Sequence, residues 1–279
     1  MIPYNFEYYQ PASIAEAVEL YWQLEGQNKS PLYHAGGTEL ITLGRINLVL
    51  TKAVIDLKRI PECRTVAVDG EKMIVGSAVT LSELYDSRVF PLLGETGAGI
   101  ADRTSRNKIT IGGNVCGRFI YKEAVLPLLL VESKVLIAGT DGIKIEPIVE
   151  RFNRTMRLGQ GELLVQAIMD SAYARMPYIT VKRRKVSSID YPLVTVAALR
   201  TASGIRVAFS GVTAFPFRSS IIEDILNRRD MPIGDRVGIA LDNLPAPVLS
   251  DIRGSAEYRL LVLKNTLTDM VTELGGGQM

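Results

Sequence analysis

Two glycine pairs, Ala35-Gly36-Gly37-Thr38-Glu39-Leu40 and Thr110-Ile111-Gly112-Gly113-Asn114, stand about 75 residues apart. Each follows an apolar or β-prone stretch and ends in a small polar residue. Without a Cβ to hold the backbone away, such a turn lets main-chain N–H groups converge on an anion while a hydroxyl or amide adds a donor. The two together read as a phosphate cradle built twice. Either pair alone marks a turn before it marks a ligand site.

Other chemistry finds little support. The single histidine, His34, lies in a predicted strand beside the first pair, so a nitrogen-ligated metal site has no second member and no residue is assigned as a metal ligand. His34 reads as packing or loop support rather than as a catalytic base. Cys63 and Cys116 are too few for a disulfide framework and lack the spacing of a metal or iron–sulfur site. Cys116, a lone thiol in an apolar stretch, reads as packing. Gly159-Gln160-Gly161 lacks the third glycine of a dinucleotide fingerprint, and no glycine-rich loop ends in Gly-Lys-Ser or Gly-Lys-Thr. With no Ser/His/Asp or Cys/His set, no catalytic residue is assigned and any reaction must be carried by a cofactor.

The elements that hold the pairs follow from periodicity. Ser13 and Glu16 read as a capping box opening a helix through Ile14, Ala17, Val18, Tyr21 and Leu24 to Gly26. Pro31 to Ala35 is a strand feeding the first pair, and Leu48 to Leu57 a second β-rich run. Hairpins are predicted at Thr65–Val68 with Met73–Val75, turning at Asp69-Gly70, and at Val135–Ala138 with Ile143–Ile145, around Thr140-Asp141-Gly142. Thr80 and Glu83 cap a further helix, Phe90 to Ile100 and Ala124 to Val131 are helical, and Leu163 to Met169 is a strand. Beyond Pro177, Tyr178–Lys185, Leu193–Leu199 and Ile205–Phe209 make three antiparallel strands. A terminal helix from Ser255 carries Leu263, Leu267, Met270, Val271 and Leu274 before a frayed glycine-rich end. The expected division is 1–173, with subdomains of about 1–57 and 58–173, and 174–279.

Composition is that of an ordinary globular protein. Its 279 residues are 47% apolar, enough for two or three packed units. Lys and Arg number 32 against 30 Asp and Glu, so no overall field favours nucleic acid or an acidic membrane surface as partner. No leader-like start and no spanning apolar run is read, so the expected location is cytoplasmic and no membrane is expected as partner.

With these flanks and this order, the two glycine pairs resemble the flavin-binding loops of the FAD subunit of molybdenum hydroxylases, the xanthine and carbon monoxide dehydrogenase family. Lys182-Arg183-Arg184 with Asp190, the strand Gly211-Val212-Thr213-Ala214, and Gly254-Ser255-Ala256-Glu257-Tyr258-Arg259 extend the resemblance over nearly the whole chain. It implies an α+β fold: a two-part mixed α/β FAD-binding domain of the vanillyl-alcohol-oxidase (PCMH) type, followed by a small carbon-monoxide-dehydrogenase-flavoprotein-like domain of three antiparallel strands with helices. It implies FAD as cofactor. Tyr33, His34, Ala35, Gly36, Gly37, Thr38, Glu39 and Leu40 would wrap the pyrophosphate, and Thr110, Ile111, Gly112, Gly113 and Asn114 would close over the phosphates and the flavin-bearing end. Ile100, Glu123, Leu163 and Lys182 fall at further FAD contacts. Glu123 departs from the family's usual Asp, and Gly117 to Lys122 replaces a small-residue segment with bulk and two positive charges.

The implied function is electron transfer. A molybdopterin-binding large subunit would oxidise the substrate, a small subunit with 2Fe–2S clusters would relay electrons to this flavin, and NAD⁺ or O₂ would accept them. A permanent complex of this kind implies some exposed apolar surface to meet the iron–sulfur partner. Two alternatives are a free-standing flavoprotein oxidase and a non-catalytic subunit that has lost FAD.

Overall fold

The structure is a computed structural model and describes residues 4–185 and 189–275. Among the described residues three larger sheets stand in sequence order, beside a two-stranded ribbon of Phe152–Asn153 with Thr155–Met156. In the first, Ala53–Asp56 lies between Glu7–Tyr9 and Leu32–His34, and both pairs are parallel. Parallel neighbours need crossovers, which the helices Ile14–Gly26 and Thr38–Arg45 provide. The capping at Ser13 differs in detail from the sequence expectation. Its side chain accepts from the Glu16 amide, but the Glu16 carboxylate accepts from the Ala12 amide at 2.7 Å, one residue before the cap.

The second sheet is antiparallel, in the order Val66–Asp69, Lys72–Gly76, Leu163–Asp170, Lys134–Gly139, Gly142–Pro147. The two expected hairpins clasp the central strand, and their turns hold Gly70 and Gly142 at φ of +57° and +91°, where glycine alone is unstrained. Leu81–Ser87, Pro91–Ala98 and Val125–Leu130 pack into one apolar cluster with this sheet, around Phe90, Leu92, Leu93, Val125, Leu126 and Leu130.

Leu81–Ser87 opens on a reciprocal capping box. The Thr80 side chain accepts from the Glu83 amide at 3.2 Å, and the Glu83 carboxylate accepts from the Thr80 amide at 2.9 Å. Burial alone would raise the Glu83 carboxyl, but Arg64 and Thr80 outweigh it and hold the group at about 2. A depressed folded-state value means that this stabilisation is complete above pH about 4.5 and is lost as pH falls towards about 2. Thr80→Ala is expected to lower stability by about 1 kcal/mol and to flatten the loss in that acid window. Urea midpoints measured from neutral pH downward check both.

The third sheet, Tyr178–Arg184, Pro192–Thr201, Gly204–Ser210 and Phe217–Arg218, has four antiparallel strands where three are expected. The two-residue fourth strand is too short to show a period. Gly211 to Ala214 is a bend rather than the expected strand. Ala197, Leu199 and Ala208 pack into the cluster of the second sheet, while Val194, Val196, Ala198, Val207 and Phe209 face a separate cluster with Leu263, Leu267, Met270 and Val271 of the helix Ala256–Gly275. The expected frayed end beyond Gly275 lies outside the described residues.

Arg259, fully buried on that helix, donates to the carbonyls of Leu193, Pro192 (3.3 Å) and Gly211 (2.9 Å) and to the Asp251 carboxylate (2.7 Å). It thereby ties the start of Pro192–Thr201 to the turn that carries Arg253.

Candidate functional site

Gly36 and Gly37 of the first pair and Gly113 of the second wall one cleft of about 710 Å³, within the size range of small-molecule and cofactor sites. The first pair ends the strand Leu32–His34. Gly37 takes φ +70° as the N-cap of Thr38–Arg45, a helix that the sequence reading does not contain. A Cβ on Gly36 would stand 1.8 Å from the Lys108 carbonyl oxygen and 3.3 Å from the Thr110 nitrogen, so the first pair is pressed against the Lys108 to Thr110 segment that leads into the second. Glu39 adds a second tie: its carboxylate accepts from the Arg118 amide and fills the space where a Gly117 Cβ would be, at 2.3 Å.

The two pairs differ in what they leave free. Among the described residues, the amides of Gly36 and Gly37 donate to no protein acceptor, and the first N–H groups of the helix behind them are unsatisfied by geometry. The second pair is not an open turn. Thr110 caps the short helix Ile111–Cys116, and the amides of Ile111, Gly112, Gly113 and Asn114 donate to Val79 O, Ser77 O, Thr110 Oγ1 and Thr110 O. The picture of amides converging from both pairs is corrected accordingly: the first offers donors, and the second offers a close-packed wall.

Of the residues assigned to the site, Tyr33, His34, Ala35, Gly36, Gly37, Thr38, Glu39, Leu40, Ile100, Thr110, Gly113, Asn114, Glu123 and Lys182 line the cleft. Ile111, Gly112 and Leu163 do not. Ile111 packs in the cluster of the second sheet. Gly112 is pressed on Ser77, whose Cβ lies 2.6 Å from where its own would be. Leu163 packs with Ala17, Leu24 and Ile55.

Lys182 Nζ and Glu123 Oε1 pair at 2.8 Å with side chains 9% and 2% exposed, so each neutralises the other where neither charge is hydrated. The Asn114 side-chain oxygen accepts from the Ala124 amide at 3.1 Å, which holds Glu123 in place beside the loop. Ile100, Ala101, Ile109, Leu40, Leu43 and Val49 supply apolar lining.

One wall escapes the sequence reading. The rings of Tyr121 and Tyr191 stack with centroids 4.7 Å apart, and the Arg253 guanidinium lies 4.9 Å from the Tyr191 centroid and 5.7 Å from that of Tyr121. Asp190 and Asp251 flank Arg253 at 3.5 and 3.7 Å. These residues come from three segments with no shared spacing; the bulky Gly117 to Lys122 segment, Asp190 and the Gly254 to Arg259 block each signal the region without showing that Tyr121, Tyr191 and Arg253 meet. Of the two positive charges in the Gly117 to Lys122 segment, Arg118 lines the cleft, whereas Lys122 is 1% exposed with its ammonium unpartnered. Burial pushes the Cys116 thiol up to about 12, which makes it a poor nucleophile.

A flavin dinucleotide needs donors for two anionic phosphates, apolar walls for its ring and a few polar groups beside it. Free Gly36 and Gly37 amides, a backbone approach that no Cβ tolerates, apolar lining and a buried charged pair meet those needs. No helix among the described residues is long and apolar enough to cross a membrane.

A family profile described as the FAD binding domain in molybdopterin dehydrogenase matches residues 4–169. The carbon monoxide dehydrogenase medium chain of Hydrogenophaga pseudoflava is 28% identical over 275 residues, covering 93% of each chain. The putative xanthine dehydrogenase FAD-binding subunit of Escherichia coli K12 is 24% identical, covering 96% of this chain and 97% of that one. Among solved structures, reconstituted CO dehydrogenase from Oligotropha carboxidovorans superimposes with a TM-score of 0.85 at 25% identity over 100% of both chains.

Proposed function

The chain belongs to the family of FAD-binding domains of molybdopterin dehydrogenases, and from that premise we propose that it is the FAD-carrying electron-transfer subunit of a molybdenum hydroxylase resembling the xanthine dehydrogenase type. Its partners are a molybdopterin-binding large subunit and a small subunit with 2Fe–2S clusters, its final acceptor is NAD⁺ or O₂, and it works in the cytoplasm. The observation that carries this reading is that Gly36 and Gly37 of the first pair and Gly113 of the second wall the same cleft.

When bound, FAD supplies the redox chemistry. The chain's own residues bind and orient it. The amides of Gly36 and Gly37 take the phosphates, Lys182 and Glu123 present a fixed charge pair inside the cleft, and Tyr121, Tyr191 and Arg253 exclude water at the wall they form. With Ile111, Gly112 and Leu163 supporting from behind, the site is built by units proposed as 1–57, 58–173 and 174–279. Ile41, Ile46, Leu48 and Leu50 expose large apolar side chains within one stretch beside the cleft residues Leu40, Leu43 and Val49, which favours a chain that works inside a complex.

Reconstitution with FAD followed by a visible spectrum tests the reading. Flavin bands that survive gel filtration are the expected result, and NADH oxidation by the isolated chain with an artificial dye but without partner subunits would support NAD⁺ as the acceptor. Turnover of an organic substrate by the isolated chain would contradict it.

A further inference from the structure

His34 joins the first glycine pair to a buried charge. Its ring lies against Gly37, where an added Cβ would stand 2.4 Å from Nε2, and His34, Gly36 and Gly37 all line the cleft. On the other side Nδ1 is buried, makes no hydrogen bond and lies 3.7 Å from Asp56 Oδ1. Asp56 is fully buried and also holds Lys58 Nζ at 2.8 Å and the Tyr8 hydroxyl. Asp56, Lys58 and Tyr8, whose ring stands edge-on at 6.3 Å, are the titratable groups that face the imidazole. The Lys58 ammonium also donates to Ala35 O at 2.9 Å, so the same cluster braces the loop.

This arrangement restricts the neutral tautomers. With a carboxylate facing Nδ1, the neutral ring keeps its proton there and presents a lone pair at Nε2. A lone pair beside the loop that receives phosphate oxygens is repulsive, and moving the proton to Nε2 would set a second lone pair against Asp56. Only the imidazolium satisfies both sides.

Resting on the FAD reading above, we propose that His34 is a proton-linked ligand of the FAD pyrophosphate: Nε2 donates to a phosphate oxygen only when the ring is protonated, with Asp56 as its counter-charge, so that FAD binding takes up a proton. In the free chain burial, reinforced by Lys58, depresses the imidazole below its usual value of 6.5. The bound anion reverses that direction. Affinity is then greatest below the free-state value and falls roughly tenfold per pH unit as pH rises from there to the value in the complex.

The chain contains one histidine, so tag-free protein reports His34 directly by its imidazole proton resonances. These are titrated in FAD-stripped and FAD-loaded chain, and FAD binding is measured by calorimetry across the same range in buffers of different ionisation enthalpy. The expected result is a His34 pKa at least one unit higher in the complex, with proton uptake on binding that His34→Gln removes while FAD still binds. An unchanged or lower pKa on loading, or equal proton uptake by wild type and H34Q, overturns the proposal while leaving the FAD site intact. Failure of wild-type chain to bind FAD at any pH overturns the FAD reading and this proposal with it.

Discussion

Gly36→Ala is expected to weaken FAD binding by at least about a hundredfold, equivalent to roughly 3 kcal/mol. A methyl group is the smallest possible addition, yet it would lie 1.8 Å from the Lys108 carbonyl oxygen and 2.8 Å from its carbon. Both are backbone atoms, so no side-chain rotation relieves the overlap. The loop must separate from the segment leading into Thr110, which opens the contact between the two cleft walls and displaces the free Gly36 and Gly37 amides. Overpacking of this kind also lowers fold stability by about 1–3 kcal/mol, which urea denaturation reads separately from FAD titration. Gly26→Ala is the matched control, because nothing lies within 4 Å of the added methyl at the end of Ile14–Gly26. It should leave FAD affinity unchanged and be neutral or stabilising by up to about 1 kcal/mol. Equal FAD affinity in Gly36→Ala and wild type would remove the contact between the first pair and the Lys108 to Thr110 segment from the account.

Lys182→Met is expected to have the second large effect. Its ammonium is the ion-pair partner of a Glu123 carboxylate that is 2% exposed. Removing one member of such a pair leaves an uncompensated charge out of water and costs about 3–5 kcal/mol. Replacing both, as Lys182→Met with Glu123→Leu, restores much of that stability because a dry, volume-matched contact needs no charges. The two readouts then part company. If the pair serves the cofactor, the double variant folds near wild-type stability but binds FAD weakly, whereas a purely structural pair gives recovery of both. A thermodynamic cycle over the two single variants and the double variant, run once for denaturation and once for FAD affinity, checks this.

Sequence chemistry reached the parts of this protein that are governed locally. The caps at Ser13 and Thr80, the hairpins turning at Gly70 and Gly142, and the long helix through Leu263 and Met270 all depend on residues within a few positions of one another. The mixed α/β architecture followed from them, and the resemblance carried by the glycine pairs led to the family of the FAD-binding domain.

Where the outcome differed, a neighbouring or distant packing effect was responsible. Thr38–Arg45 was hidden because the helix starts inside the motif read as a turn, and Gly37 serves as its N-cap without a side-chain signal. The Leu48 to Leu57 run looked uniformly β-prone, but only Ala53–Asp56 pairs, while Leu48 and Leu50 face outward. Gly112 and Gly113 looked alike in sequence, yet one is pressed on Ser77 and the other opens to the cleft. The wall of Tyr121, Tyr191 and Arg253 joins distant segments, beside an Arg259 that gathers the Leu193 and Gly211 carbonyls and Asp251 around one guanidinium. No local pattern encodes that convergence.

The most direct measurement is a crystal structure of the chain grown with FAD. The phosphates are expected against the Gly36 and Gly37 amides, with the dinucleotide enclosed between that loop and the wall formed by Thr110, Gly113 and Asn114. FAD bound elsewhere on the surface, or in the cleft with its phosphates away from Gly36 and Gly37, would contradict the account.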